Sequence, residues 1–271
     1  MTAPRHSPRY GVRRFAVAAV VVAAVAVSGC GVASAQPGAP ADGTRATATP
    51  AARLPLSGTT VGIDPGHNGL NYTDPSFLGR QVWNGREWED CDTTGSATDG
   101  GYTEALFNFQ VAGYLRADLI RAGARVVMTR TSNTGIGPCV NSRTAIINDS
   151  HADVAVDIHA DGAPSWGRGF AILEPVADGP NDTVIASSAR FGADVRAAML
   201  ADTAMPVSNY DGTDGIKLRD DLAGLNLTTV PKILIEVGNM KNPADARMLT
   251  SAAFQQQVAG ALLRAIIAFL R

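Results

Sequence analysis

The chain has 271 residues, with 23 basic and 25 acidic side chains and a net charge of −2. Residues 1–35 hold four of the arginines and no acidic residue, so the rest of the chain carries 19 basic against 25 acidic residues. This mildly acidic body without a basic stripe argues against a nucleic acid as the partner.

The first 35 residues are typical of an export signal. Arginines precede an apolar run over residues 15–27, which is too short to span a bilayer comfortably. The sequence allows two ways of processing this signal. Residues 33–35 read Ala-Ser-Ala, a cleavage pattern that would release a soluble protein, whereas residues 27–30 resemble a bacterial lipobox that would place a lipid on Cys30. We expect a protein exported to the periplasm or cell wall, with membrane contact only if Cys30 is lipidated.

Residues 36–53 contain no aromatic and no large aliphatic side chain. They bury too little apolar surface to offset the entropy of ordering, so we predict a flexible linker. Residues 54–271 are long enough to form one substantial core, and we predict a single catalytic domain there.

Five short runs rich in β-branched and aliphatic residues predict β-strands. They cover residues 59–64, 125–129, 154–159, 169–173 and 232–237. Several are nearly continuous apolar runs, as is typical of strands that are buried on both faces of a sheet.

Helical patterns alternate with these strands. The first follows Thr103 as its N-cap and ends at Gly123, and the next two cover about residues 141–149 and 182–202. The last follows Ser251 and has an apolar face through to the C-terminus. The alternation predicts an α/β sandwich: one domain with a mostly parallel central sheet flanked by helices.

Residues 69–101 fit neither pattern, and a loop of this length in a compact domain is usually functional. We expect Trp83, Trp88 and Cys91 to anchor it. With Cys30 in the signal or lipidated, Cys91 and Cys139 remain as an even pair, and an oxidising compartment favours a disulfide between them over two free buried thiols.

Three polar residues lie where predicted strands end. His67 follows the first strand in the sequence Asp-Pro-Gly-His, His159 ends the third strand, and Glu236 lies late in the fifth. Each has a simpler interpretation. His67 would be a solvated turn residue, and His159 would be a hydrogen-bonded core histidine. Glu236 would be paired with Arg143 or Arg219. The carboxyl ends of parallel strands share one sheet edge, however, and this shared placement favours a common site there.

Two imidazoles would supply two nitrogen ligands to a metal ion. A catalytic zinc ion needs three protein ligands, and two histidines with a glutamate are one known set. Glu104, at the start of the helix after the long loop, is the candidate for the third ligand. Alternatively, Glu104 only complements the dipole of that helix, and spacing alone does not decide between the two.

Four ordered blocks resemble the zinc-dependent N-acetylmuramoyl-L-alanine amidases, in particular the short actinobacterial form without a separate wall-binding domain. The blocks span residues 61–270 and read VGIDPGHNG, TEALFNFQVAGYLRADLIRAGARVVMTR, RTAIINDSHADVAVDIHADG and VPKILIEVGNMKNPADARML. The resemblance implies a monomeric enzyme that cleaves the bond between N-acetylmuramic acid and L-alanine in peptidoglycan or in muramyl-peptide fragments. It implies one Zn²⁺ bound by His67, Glu104 and His159, with Glu236 as the catalytic residue.

Further residues are expected to assist at this site. Asp64 is close enough in sequence to orient an imidazole. Arg219 or Lys217 would bind carboxylates of the peptide stem, and a surface salt bridge is the alternative for both.

The sequence departs from the family pattern at three places. Asn68 and Asp161 stand where glycine and asparagine are usual, and Val-Gly-Asn-Met follows Glu236 instead of the more widespread Gly-Phe pattern. None of these positions is a ligand, but Asp161 would change the charge near the metal.

Two other functions remain open. A non-catalytic wall-binding or regulatory protein with the same fold would normally lack a ligand or the catalytic glutamate, and here all four positions are filled. A zinc peptidase acting within the peptide stem would need the same chemistry, but the separation of His67 from Glu104 does not fit the short histidine–glutamate motifs of common zinc peptidases. If the 69–101 loop shields the site, activity would depend on a protein activator.

Overall fold

The computed structural model describes residues 53–271, so the predicted signal peptide and almost all of the predicted linker lie outside the described residues. The regular elements are β1 (Thr60–Pro65), α1 (Pro75–Leu78), β2 (Gln81–Trp83), β3 (Trp88–Asp90), α2 (Glu104–Arg121), β4 (Arg125–Met128), α3 (Val140–Asp149), β5 (Val154–Asp161), β6 (Ala171–Pro175), α4 (Ile185–Asp202), β7 (Ile216–Arg219), α5 (Ala223–Asn226), β8 (Lys232–Asn239), α6 (Pro243–Leu249) and α7 (Ala252–Phe269).

Six strands form one sheet in the order β4-β1-β5-β8-β6-β7. The first four run parallel to one another, whereas β6 is antiparallel to β8 and parallel to β7. The predicted α/β domain with a mostly parallel, helix-flanked sheet is therefore confirmed. Because β1, β5 and β8 are neighbours and run the same way, the residues near their carboxyl ends meet at one edge.

The two faces of the sheet differ in chemistry because side chains alternate along each strand. On one face, apolar residues of β1, β5 and β8 pack against α2, α4 and α7 to form the main core. Helix α7 is long and apolar enough to cross a membrane by composition alone, but half of it is buried in this core. The opposite face, under α3 and α5, carries the polar residues Asp64, Asp157, His159, Lys232 and Glu236 of the same strands.

The segment over residues 69–101 is not one irregular loop. It contains α1 and an antiparallel hairpin of β2 and β3. Strands of three residues are too short to show an alternating pattern in sequence, which explains why the hairpin is not predicted. The prediction that Trp83 and Trp88 anchor this segment is wrong, because these side chains are 45% and 65% exposed and contact each other.

Candidate active site and metal centre

Three of the predicted site residues converge where β1, β5 and α2 meet. Glu104 Oε1 lies 3.3 Å from His67 Nε2 and 2.8 Å from His159 Nδ1. One ligand atom from each of the three lies within 4.8 Å of the others. Two imidazole nitrogens and one carboxylate oxygen suit Zn²⁺ and leave a coordination position open for a substrate or a water molecule.

Glycines make this close approach sterically feasible. A Cβ atom at Gly66 would lie 2.1 Å from His159 Cε1, and one at Gly95 would lie 2.6 Å from His67 Cδ2. His67 itself has a φ of 57°, in the left-handed region that non-glycine residues seldom adopt. Such a conformation persists only where the surroundings hold it, and it is concentrated at functional sites.

Glu104 is fixed as an ionised acceptor. It is the first residue of α2, and Thr103 caps this helix as predicted, its hydroxyl accepting from the amide of Leu106. Glu104 Oε2 accepts the amide of Ser96 at 2.7 Å, so Oε1 is turned toward the two imidazoles. Burial by itself would raise the pKa of Glu104, but the charge of His67 and hydrogen bonds from both imidazoles hold it well below its usual range. The carboxylate is thus ready to accept a cation.

Asp92 orients the imidazole of His67, a role that the sequence does not reveal. Its Oδ1 lies 3.0 Å from His67 Nδ1, and a proton on Nδ1 leaves Nε2 free to face Glu104 and a metal. Burial by itself would lower the pKa of His67, but the carboxylates of Glu104 and Asp92 outweigh it and raise the pKa to about 10. A metal ion must displace this proton to bind.

Glu236 lies beside His159 on the neighbouring strand β8. Among residues 53–271 its Oε2 has no hydrogen-bond partner, and neither Arg143 nor Arg219 forms an ion pair with it, so that simpler interpretation is wrong. Burial raises the pKa of Glu236 well above its usual range, the nearby carboxylates of Glu104 and Asp161 raise it further, and His67 opposes them. A cation between the imidazoles would lower this pKa again.

The family model described as N-acetylmuramoyl-L-alanine amidase matches residues 61–268. The chain belongs to this amidase family. It is 40% identical over 222 residues to the N-acetylmuramoyl-L-alanine amidase Rv3717 of Mycobacterium tuberculosis, which covers 79% of this chain and 88% of that protein. It is 27% identical to the germination-specific N-acetylmuramoyl-L-alanine amidase of Bacillus subtilis, over 80% of this chain and 81% of the relative.

A solved structure shows the same architecture. The N-acetylmuramyl-L-alanine amidase Ami1 of Mycobacterium smegmatis aligns with a TM-score of 0.75 and 39% identity, covering 79% of this chain and 98% of that one. The amidase fold and its short form, inferred from four sequence blocks, are therefore confirmed.

Arg143 of the amidase connects Asp92 to the central sheet through buried ion pairs. Its guanidinium is 2% exposed, with Nη1 at 2.9 Å from Asp64 Oδ1 and Nη2 at 3.2 Å from Asp92 Oδ2. The same group donates to the carbonyl oxygens of Pro65 and His67. One buried cation therefore connects β1, the His67 turn and the loop that carries Asp92.

Asp64 does not orient an imidazole, contrary to the sequence-based expectation. Its Oδ1 accepts hydrogen bonds from Thr129 at 2.6 Å and from Arg143 at 2.9 Å, and Lys232 lies on its other side. The carboxylate that reaches the ring of His67 is that of Asp92, which lies on another segment. Asp64 acts on His67 only through Arg143.

Two of the remaining predicted residues, Asp161 and Arg219, line the open cleft beside Glu236. This cleft, of about 510 Å³, is bordered by Asp161, Arg219 and both histidines. Arg219 is held by Asp221 through two contacts of 2.6 and 2.7 Å, and Lys217 is 2.5 Å from Asp211. Arg219 borders this cleft, whereas Lys217 borders a neighbouring pocket that also touches Glu236. Both cations already have a carboxylate partner, so binding of the peptide stem by either one stays a prediction.

Cys91 and Cys139 form a disulfide in the structure, 48 residues apart in sequence. Cys91 is buried and directly precedes Asp92, while Cys139 directly precedes α3, which carries Arg143. The disulfide therefore joins the segment that carries Asp92 to the helix that carries Arg143, and both of these residues contact His67.

We expect unreduced peptide mapping of the exported amidase to find Cys91 linked to Cys139. Closing a loop of this length stabilises the fold by about 4 kcal/mol on the chain-entropy model, so a Cys139→Ser variant should lose about that much in urea denaturation. Two thiols that alkylate without reduction would contradict the assignment. Urea denaturation of the natural protein with and without reductant gives the loss of stability from breaking the disulfide alone. Any further loss in Cys139→Ser is then due to the serine.

Proposed function

We propose that this amidase hydrolyses the amide bond between N-acetylmuramic acid and L-alanine in peptidoglycan, with one zinc ion held by His67, Glu104 and His159. The observation that carries the proposal is the convergence of these three ligand atoms beside an unpaired buried carboxylate oxygen of Glu236. Membership of the amidase family supports the bond assignment.

Each protein group has a task in this reaction. Zinc, when bound, supplies a Lewis acid that polarises the substrate carbonyl and lowers the pKa of water. Glu236 accepts a proton from the attacking water, because its oxygen is unpaired and burial raises its basicity. The same carboxyl then donates this proton to the departing nitrogen of L-alanine. Asp92 keeps His67 in place throughout, and the backbone amide of Ser96 does the same for Glu104.

The proposed function also implies the substrates of the enzyme and the compartment in which it acts. Its substrates are peptidoglycan or muramyl-peptide fragments, and the enzyme acts in the periplasm or cell wall, which the disulfide and the cell-wall amidases among its relatives support. Cys30, where a lipid would anchor the protein, and the alternative cleavage after Ala35 lie outside the described residues. We further propose that the protein acts as a monomer, and that a protein activator is needed only if the segment 69–101 covers the cleft.

A defined muramyl-tetrapeptide tests the function. Zinc-loaded protein should release free N-acetylmuramic acid and an intact tetrapeptide, identified by mass, and a chelator should abolish the release until zinc is restored. His159→Ala serves as the metal-site control and should lower the zinc content measured by elemental analysis. A shortened peptide would instead indicate a peptidase, and binding without any product would favour a non-catalytic wall-binding protein.

A further inference from the structure

The three tryptophans of this chain all lie on its surface. Trp83, Trp88 and Trp166 are 45%, 65% and 66% exposed. Tryptophan is highly buried on average in folded proteins, because its exposed rings leave a large apolar area in water. Trp83 and Trp88 stand directly opposite each other in the β2–β3 hairpin, with ring centroids 5.7 Å apart in an edge-to-face arrangement. The hairpin therefore presents one continuous aromatic surface.

This hairpin is held firmly at both ends. At its tip, the side chain of Asn84 accepts the amides of Arg86 and Glu87, and Arg86 forms ion pairs with Asp178 and Asp220. At its base, the amide of Cys91 donates to the carbonyl of Arg80, and the disulfide follows immediately. An aromatic surface fixed before binding loses little entropy when a ligand covers it.

The aromatic surface lies beside a cavity that reaches the two histidines of the candidate metal site. Glu89 and Asp90 of β3 border the same cavity as His67 and His159. Asp90 also shares the outward face of the hairpin with the two tryptophans, where it is 2.5 Å from the side-chain amide of Gln81. Asp90 therefore connects the tryptophan face of the hairpin to this cavity.

We propose that the Trp83–Trp88 surface binds the glycan strand of peptidoglycan beyond the sugar whose lactyl amide is cleaved. This inference rests on the function proposed above. The C–H faces of pyranose rings are apolar, and flat aromatic rings cover them well. Within β2 and β3 the outward face carries one charged side chain, that of Asp90, which is already hydrogen-bonded. Arg86 at the tip is paired with two aspartates, so the face suits an uncharged polysaccharide better than an anionic ligand.

A purely structural role explains less of the arrangement. A cross-strand aromatic pair does stabilise a short hairpin, and hairpins of this size are marginal by themselves. Such a pair stabilises most when its rings are covered, whereas both rings here remain open to solvent on a hairpin that a disulfide and two ion pairs already fix.

The decisive comparison uses two substrates of the zinc-loaded enzyme: a soluble muramyl-tetrapeptide and insoluble peptidoglycan. Trp88→Ala should lower kcat/KM on peptidoglycan about tenfold, equivalent to about 1.4 kcal/mol, and leave the fragment within twofold of the natural enzyme. Trp88→Phe should recover most of the loss because it keeps an aromatic face. Leu200→Ala, which removes an apolar side chain of α4 that is 45% exposed, should change neither rate.

Equal losses of rate on both substrates, or no loss on either, would overturn the glycan proposal. If the natural protein cleaves neither substrate, the proposed function fails, and the glycan surface is then tested by tryptophan fluorescence with soluble chains of β-1,4-linked N-acetylglucosamine, which are uncharged. A spectral shift that Trp88→Ala abolishes supports the surface, and no shift refutes it. Binding to anionic phospholipid vesicles in place of these chains would also refute it.

Discussion

Replacing Glu236 with glutamine should lower kcat by at least about 10²-fold while zinc remains bound. Glutamine has nearly the same shape but cannot accept and return a proton, and a general acid–base group contributes about this much or more. In the described part of the chain, Glu236 forms no hydrogen bond with any of the three predicted metal ligands. The loss should therefore fall on kcat, and KM for the muramyl-tetrapeptide should change little.

Asp161→Asn is the matched control for this experiment. Asp161 lines the same cleft and also adds negative charge near Glu236, and asparagine is the residue that the resemblance leads one to expect there. We expect its kcat to stay within a few-fold of the natural enzyme. Normal turnover by Glu236→Gln, or loss of zinc from it, would show that Glu236 is not the base.

The parts of the site that sequence predicts are those attached to strands and helix ends. His67, His159 and Glu236 each follow or lie within an apolar run, and such runs become neighbouring parallel strands with a common edge. Glu104 directly follows a threonine N-cap, which places it at the start of α2 at the same edge. Periodicity and capping thus place these residues near one another before any coordinates are known.

The residues that support the site were not predictable in this way. Asp92 reaches His67 only because a disulfide closes 48 residues of chain, and nothing in the local sequence of Asp92 shows where that closure brings it. By sequence, Arg143 is a candidate partner of Glu236, but its position on α3 directs it to Asp64 and Asp92. Long-range contacts of irregular segments depend on the whole fold, so composition and spacing do not reveal them.

Arg143→Met should destabilise the metal-free protein by about 3–5 kcal/mol. Removing one partner from a buried ion cluster leaves the remaining charges poorly paired. Without Arg143, Asp64 would keep only the more distant Lys232, and Asp92 would keep only His67. Arg121→Met is the control, because this arginine is 74% exposed and its pair with Asp118 should contribute at most about 1 kcal/mol. Urea denaturation of both variants measures the difference.

The pH dependence distinguishes lost charge pairing from lost packing in Arg143→Met. Burial by itself would raise the pKa of Asp64, but Arg143 and Lys232 outweigh it and lower the pKa to about 2. The stability that the lowered pKa contributes is therefore present above pH 3.8 and is lost as the pH falls toward 2. Without Arg143 the folded carboxyl protonates more easily, so the variant has less of this stability to lose, and its deficit should shrink as the pH is lowered from 7 to 3. An equal deficit at both pH values would assign the effect to packing, and a stability within about 1 kcal/mol of the natural protein at pH 7 would show that the cluster does not hold Asp92 behind the metal site.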